Sequence, residues 1–134
     1  MLSRHNIRAP LSDSKSALGR MTPHKWHKWG VGKSELTSRD GALETMIGQY
    51  FRNWAVDAGL FPENCIPTAD DVNVIANSMQ RCIATAQYFT SEFMPVGGIT
   101  VNHRFAPSQM DPLFNPQLTK VGPKFKEEAL RPVS

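Results

Sequence analysis

The chain has 134 residues, a formal net charge of +3, 40% hydrophobic residues and 20% charged residues. This length allows one domain at most, and two cysteines are too few for a disulfide framework. The sequence has no run of 18 apolar residues, and its first 30 residues lack an apolar segment. Neither membrane insertion nor a secretory signal is therefore expected.

Charge is distributed unevenly along the chain. Residues 1–34 carry a net charge of +6, residues 35–94 carry −5, and residues 95–134 carry +2. Only the acidic middle shows clear helical periodicity. The pattern predicts a basic extended arm at 1–37, a helical hairpin body at 38–94 and a proline-rich extended tail after it.

The first strong helix is predicted over residues 38–58. Ser38 or Asp40 can cap its start, and Gly59 marks its end. Gly48 lowers the stability of the helix, unless it marks a close contact with another helix. Apolar side chains recur at the i, i+3, i+4 spacing and form one stripe: Leu43, Met46, Ile47, Tyr50, Phe51 and Trp54.

A second helix is predicted over residues 68–93, with Thr68 and Asp71 at its start. Its apolar stripe consists of Val72, Ile75, Met79, Cys82, Ile83, Ala86, Phe89 and Phe93. The two stripes predict an antiparallel pair of helices in which Trp54 is buried in the seam. The predicted fold class is therefore all-α, an antiparallel helical hairpin with long extended N- and C-terminal arms.

The tail contains one plausible strand, at residues 99–105, where apolar and polar residues alternate. No second strand is evident in the sequence to pair with it. Regularly spaced prolines then predict an extended segment, with a helical turn or two at 124–131. The tail also carries apolar side chains that can attach it to another surface: Met110, Leu113, Phe114, Leu118, Val121 and Phe125.

The arm contains a tandem His-Lys-Trp triplet at residues 24–29. Lysines interleaved with tryptophans can bind nucleic acid, since lysine neutralises phosphates and indoles stack on bases. The same indoles can also dock on a protein surface, and this interpretation is favoured. The residues predicted to bind a partner are Trp26, Trp29, Lys25, Lys28, Arg4, Arg8, Arg20 and Lys33.

No catalytic, cofactor or metal site is predicted. Gly32-Lys33-Ser34 lacks the earlier glycine of a phosphate-binding loop. His24 and His27 could ligate zinc together with Cys65 and Cys82, but these cysteines lie 17 residues apart and lack the close pairing of a structural zinc site. Cys82 lies on an apolar helix face, which is a poor place for a reactive thiolate. His5 and His103 are interpreted as lone surface or packing residues.

These features favour a non-enzymatic structural subunit of a large assembly. The leading hypothesis is a virion protein, either a minor capsid, cement or head–tail connector protein. The alternatives are a peripheral RNA-binding protein of the ribosome and an accessory subunit of an organellar membrane complex, located in the organelle matrix. The expected partners are neighbouring protein subunits, with nucleic-acid backbone contact through residues 1–34 left open.

Overall fold

A computed structural model describes residues 1–116, 122 and 124. Its elements in chain order are α1 (Ala17–Arg20), α2 (Ser38–Asp57), β1 (Val74–Ile75), α3 (Gln80–Phe93) and β2 (Val101–Asn102). Among the described residues, no helix is long and apolar enough to cross a membrane.

Helix α2 confirms the helix predicted over 38–58, within one residue at its C-terminal end. Its cap is Thr37 and not the predicted Ser38 or Asp40, and the Thr37 hydroxyl accepts the backbone N–H of Asp40 at 3.2 Å. At the other end, Gly59 adopts a left-handed conformation with φ of 70°, and Leu60 N donates to the Ala55 carbonyl at 2.8 Å. This is the glycine-terminated ending that the sequence predicted.

Small residues let α2 approach α3 closely. A Cβ atom added at Gly41 would lie 2.5 Å from the ring of Tyr88, and one added at Gly48 would overlap the carbonyl oxygen of Phe89. Phe51 also contacts this side, with its ring centroid 6.1 Å from that of Phe89. The close helix–helix contact suggested by Gly48 is therefore confirmed.

The predicted seam between the helices is wrong. Met46 is 65% exposed, Tyr50 66% and Trp54 50%, so most of the apolar stripe on α2 faces away from α3. The contacts with α3 are made instead at Gly41, Gly48 and Phe51, and the two glycines allow close backbone approach there. The buried residues of α2 are Asp40, Gly41, Glu44, Gly48 and Ala55.

The second helix is shorter than predicted, and the all-α fold class is wrong. Residues 74–75 form β1, which pairs in parallel with β2 in the register Val74 to Val101 and Ile75 to Asn102. β-Branched residues prefer extended backbone here, and their helical spacing misled the prediction. Of the strand predicted at 99–105, only residues 101–102 form a strand, β2. It does have a partner, and α3 forms the crossover that a parallel pair requires.

Residues 104–113 fold back onto the segment before α3. Ser108 N donates to the Ser78 carbonyl at 2.7 Å, and Asp111 N donates to Asn77 Oδ1 at 3.1 Å. Asp111 is fully buried and accepts both Nε and Nη2 of Arg104, which lowers the pKa of Asp111. This part of the predicted tail is thus attached by specific hydrogen bonds.

Several predictions for the tail lie outside the described residues. These are the apolar side chains of Leu118, Val121 and Phe125 and, except for Lys124, the helical turns at 124–131. The division into arm, body and tail remains a prediction.

Replacing Gly48 by alanine should destabilise the chain by about 1–3 kcal/mol, because the new methyl group overlaps the backbone of α3. Helix propensity alone predicts the opposite sign, a gain of about 1 kcal/mol. Thermal and denaturant unfolding followed by circular dichroism measures the difference. Gln49→Ala, on the exposed side of α2, is the control and should change stability by less than about 0.5 kcal/mol. A stabilised Gly48→Ala variant would contradict the close contact.

Candidate active site

The first residues of the chain are held against α2 by two buried carboxylates. The backbone N–H of Ile7 donates to Asp40 Oδ1 at 2.8 Å, and Asn6 Nδ2 donates to Glu44 Oε1 at 2.6 Å. Asp40 is 0% exposed and Glu44 is 1% exposed. Both carboxylates lie in the first two turns of α2. By accepting these hydrogen bonds, they hold the residues that directly follow His5 against the helix.

The next residues are held by the segment that leads into α2. Ala9 N donates to the Glu35 carbonyl at 2.9 Å, and Ser34 N donates to the Pro10 carbonyl at 3.1 Å. Next to these hydrogen bonds, Arg8 and Leu36 form an antiparallel bridge. These contacts connect the arm to residues 34–36.

The same segment contacts the start of α3. Leu36 N donates to Gln80 Oε1 at 3.0 Å, and Arg81 Nη1 donates to the Ser34 hydroxyl at 2.6 Å. Two parts of the chain far apart in sequence, residues 4–8 and Arg81, are thereby brought to one place.

His5 lies at the centre of this region and is half-buried. Its Nδ1 is 3.0 Å from the carbonyl oxygen of Asn6. Because a carbonyl oxygen can only accept, this contact requires the proton to be on Nδ1, which leaves the lone pair on Nε2. The ring is thus held in the tautomer that makes Nε2 a nucleophile.

Burial is the main influence on His5 and lowers its pKa. The hydrogen bond to Asn6 opposes this effect, whereas the positive charges of Arg81, Arg4 and Arg8 lower the pKa further. The groups whose charge reaches His5 among the described residues are therefore all cationic. A neutral imidazole surrounded by guanidinium groups suits a dianionic ligand.

Each of the three arginines retains N–H donors that can bind such a ligand. Arg81 Nε is buried and makes no hydrogen bond within the described part of the chain. Arg8 uses Nη1 to donate to the Ala9 carbonyl at 3.0 Å, and Arg4 is exposed. Each guanidinium has five N–H donors in a planar fork, which matches the oxygens of a phosphate group.

Of the residues predicted to bind a partner, Arg4 and Arg8 lie at the His5 site. Lys33 forms an ion pair with Asp13 at 3.0 Å. Trp29 is 40% exposed, and its ring packs edge-on against His27 with a centroid distance of 5.0 Å. Trp26 is half-buried, and three further residues are exposed: Arg20, Lys25 and Lys28.

The partner-binding role of these eight residues remains a prediction. Contact of residues 1–34 with protein subunits or with a nucleic-acid backbone also remains a prediction.

A sequence model of the histidine phosphatase superfamily (branch 2) matches residues 1–121. The chain belongs to this superfamily. It is 42% identical over 131 residues to a glucose-1-phosphatase of Salmonella typhimurium, covering 98% of this chain and 32% of that protein. It is 35% identical over 121 residues to the phytase AppA of Escherichia coli, covering 90% of this chain and 28% of that protein.

Solved structures agree with this assignment. The phytase of Citrobacter braakii superposes with a TM-score of 0.74 and 35% identity, over 84% of this chain and 27% of the phytase. The apo form of Hafnia alvei phytase superposes with a TM-score of 0.76 and 29% identity, over 93% of this chain and 31% of that phytase. The chain spans about one third of the length of the relatives that it matches.

Four predictions are corrected by these relatives. The fold is the α/β fold of the histidine phosphatases, with strands and helices, and not a helical hairpin with arms. The interpretation as a non-enzymatic structural protein is wrong, because the relatives are enzymes. The virion function and virion localisation are wrong for the same reason, and the ribosomal and organellar alternatives find no support among these bacterial phosphatases.

Sequence reasoning missed His5 because it treated this histidine as isolated and assigned the nearby arginines to a binding arm. The available signal was local: Arg4 and Arg8 flank His5 within five residues. The third arginine, Arg81, could not be found from spacing, because the fold alone brings it to the site.

Glu44 gives the site a pH dependence that can be measured. Burial, followed by the charge of Asp40, raises the pKa of Glu44, while the hydrogen bond from Asn6 opposes the shift. A raised pKa means that the folded chain binds this proton more tightly than the unfolded chain. The stabilisation is therefore complete below the ordinary value of 4.5 and is lost as pH rises through the folded-state pKa.

Glu44→Gln keeps the carbonyl oxygen that accepts from Asn6 and cannot ionise. We expect its melting temperature to exceed that of the unmodified chain at pH 7, with the difference shrinking as pH falls towards 4. Melting curves across this range measure the effect. Glu92→Gln, at an exposed position of α3, should show no comparable trend. An unchanged pH profile in Glu44→Gln would contradict the burial argument.

Proposed function

We propose that this chain carries the phosphate-binding and phosphoryl-accepting part of a phosphomonoester hydrolase. His5 Nε2 is the nucleophile, and Arg4, Arg8 and Arg81 bind the phosphate oxygens. The observation that carries the proposal is the His5 ring, fixed by Asn6 with Nε2 unprotonated and subject to the charge of three arginines. Support comes from the relatives, which are named as a glucose-1-phosphatase and a phytase.

The chemistry follows a two-step transfer. In the first step, Nε2 forms a bond to phosphorus while the bond from phosphorus to the ester oxygen breaks, and that oxygen takes up a proton as it leaves. In the second step, water attacks the phosphohistidine, which releases inorganic phosphate and restores the imidazole. Guanidinium groups stabilise the charge that spreads over the phosphoryl oxygens in both steps.

The environment of His5 accounts for its suitability as an acceptor. Only a neutral imidazole has a lone pair to donate, and the lowered pKa of His5 extends the neutral state to lower pH. The same arginines that lower this pKa bind the incoming phosphate. Burial is the larger cause of the lowered pKa, and the arginine charges contribute both to this pKa and to anion binding.

The proton donor for the leaving group is not supplied by the described part of the site. The carboxylates that contact the segment around His5, Asp40 and Glu44, are buried and already accept hydrogen bonds from Ile7 and Asn6. We therefore expect this chain to transfer phosphate from esters whose leaving groups need little protonation. An aryl phosphate should react readily, whereas an alkyl phosphate should require an additional acid.

His5→Asn should abolish the phosphoenzyme, since the amide has no nucleophilic nitrogen. The full chain is incubated with 4-nitrophenyl phosphate and analysed by intact-mass spectrometry at alkaline pH, where phosphohistidine survives. The unmodified chain should gain one acid-labile phosphate, and His103→Asn, at an exposed histidine, should behave like it. An adduct that persists in His5→Asn would refute the assignment of the nucleophile.

Arg81→Gln should weaken the binding of inorganic phosphate by about tenfold or more, because a charge-assisted hydrogen bond is lost. Removing this positive neighbour should also raise the pKa of His5, so that protonation of the ring begins at a higher pH. Calorimetry and a histidine NMR titration measure the two effects. Arg39→Gln, on the exposed side of α2, is the control. Unchanged values for both quantities in Arg81→Gln would place Arg81 outside the site.

A further inference from the structure

Ser34 lies in a tight turn and has a backbone conformation that serine rarely adopts. Glu35 N donates to the Gly32 carbonyl at 3.2 Å and closes a four-residue turn. Ser34 is the third residue of this turn and has a φ of 64°, whereas the second residue, Lys33, has no positive φ. This is the pattern of a type II turn, which favours glycine or asparagine at its third position. A serine there is strained, because its Cβ crowds the following carbonyl oxygen.

Contacts on both sides of Ser34 maintain this conformation. Ser34 N donates to the Pro10 carbonyl at 3.1 Å, and Gly32 N donates to Glu35 Oε2 at 2.8 Å. Backbone strain of this kind persists only where the surrounding structure imposes it, and it is concentrated at functional sites. The held turn also fixes the direction in which the Ser34 side chain leaves the backbone.

The Ser34 hydroxyl contacts an arginine of the candidate active site. Arg81 Nη1 donates to Ser34 Oγ at 2.6 Å, and this contact joins residues that are 47 positions apart in the sequence. Both residues are half-buried. Hydrogen bonds from a charged donor are stronger than those between neutral groups. The contact therefore holds one corner of the guanidinium group in place.

The same contact determines which edge of the guanidinium remains for a ligand. Nε and Nη2 of an arginine lie along one edge of the planar fork, and their N–H groups can bind two phosphate oxygens at once. The hydrogen bond to Ser34 uses neither of these nitrogens. Arg81 Nε is buried and has no hydrogen-bond partner among the residues that the structure describes. Arg81 is thus held by Nη1, while Nε on its bidentate edge still needs an acceptor.

We propose that Ser34 is a positioning residue, which orients the guanidinium of Arg81 so that its Nε–Nη2 edge binds a phosphate group beside His5. The strained turn is part of this device, because a glycine would relieve the strain but would not supply the acceptor. The inference rests on the proposed function, in which Arg81 binds phosphate. Ser34 acts through Arg81 and is assigned no contact with the phosphate.

Two substitutions in the full chain separate the hydrogen bond from the backbone strain. Ser34→Ala and Ser34→Gly both remove the acceptor, but only glycine relieves the positive φ. The glycine variant should therefore melt at a higher temperature than the alanine variant. Both variants should bind inorganic phosphate more weakly than the unmodified chain, by about threefold to tenfold. Thermal unfolding and calorimetry measure the two quantities.

Ser108→Gly is the matched control. Ser108 is also a serine with a positive φ, of 71°, and it is exposed. Its replacement relieves the same kind of strain without removing a hydrogen bond to Arg81. Phosphate affinity should therefore change by less than about twofold. A double-substitution cycle completes the design: when Arg81→Gln is already present, Ser34→Ala should cause no further loss of affinity.

The titration of His5 gives a readout that needs no phosphate. The charge of Arg81 is one of the causes that lower the pKa of His5. Releasing the guanidinium should weaken this effect, so the pKa of His5 should rise in both Ser34 variants and stay unchanged in Ser108→Gly. A residue that only stabilised the turn would not shift this titration. Histidine NMR across the pH range measures it.

The proposal is overturned by any of three results. These are an unchanged phosphate affinity in Ser34→Ala, an equal loss from Ser34→Ala with and without Arg81, and an unchanged pKa of His5 in both Ser34 variants. A loss of affinity confined to Ser34→Gly would also overturn it, since backbone freedom would then be the cause. Failure of the proposed function gives a different result: the unmodified chain does not bind phosphate, yet the Ser34 variants still shift the His5 titration. That result would confirm that Ser34 positions Arg81 and refute phosphate as the ligand.

Discussion

Two carboxylates, Asp40 and Glu44, are buried near the start of α2 and hold the residues next to His5. They accept hydrogen bonds from the backbone of Ile7 and the side chain of Asn6. Neither contact is an ion pair, so burial of the two negative charges depends on neutral donors and on the first turns of the helix, whose dipole favours anions. Together with the Arg8–Leu36 bridge, this attachment fixes residues 4–8 relative to Arg81.

The close approach of α2 and α3 and the geometry of the site are connected. Gly41 lies between the two carboxylates in the sequence, and it is there that the ring of Tyr88 comes nearest to the helix backbone. Arg81 is at the start of α3, where Ser34 accepts its Nη1. The packing of the two helices therefore sets the distance between Arg81 and the segment containing His5. A change of helix spacing would therefore move Arg81 relative to His5 without altering any of the arginines.

Local features were predictable from the sequence, whereas features that depend on distant parts of the fold were not. Helix α2 and its glycine ending follow from periodicity and turn chemistry, and the close contact at Gly48 follows from its position inside a helix. The prediction that Trp54 is buried against the second helix was wrong. An apolar stripe indicates that a helix face will be covered, but it does not indicate which element covers it. The helix predicted around Val74 was wrong because a short run of apolar residues fits helical and extended spacing equally well.

The division of charge along the chain acquires a different meaning in the fold. Its basic N-terminal part contains the two arginines that flank His5, and the acids of the middle segment include the two that hold this part in place. Positive charge at the site is thus left available for an anion, while the nearby negative charges are buried and already hydrogen-bonded. From the sequence, a basic segment followed by an acidic helix predicts an arm that binds another molecule. The structure shows that part of this relation is internal, because acids of α2 hold residues 6 and 7, next to a histidine that Arg4 and Arg8 flank in the sequence.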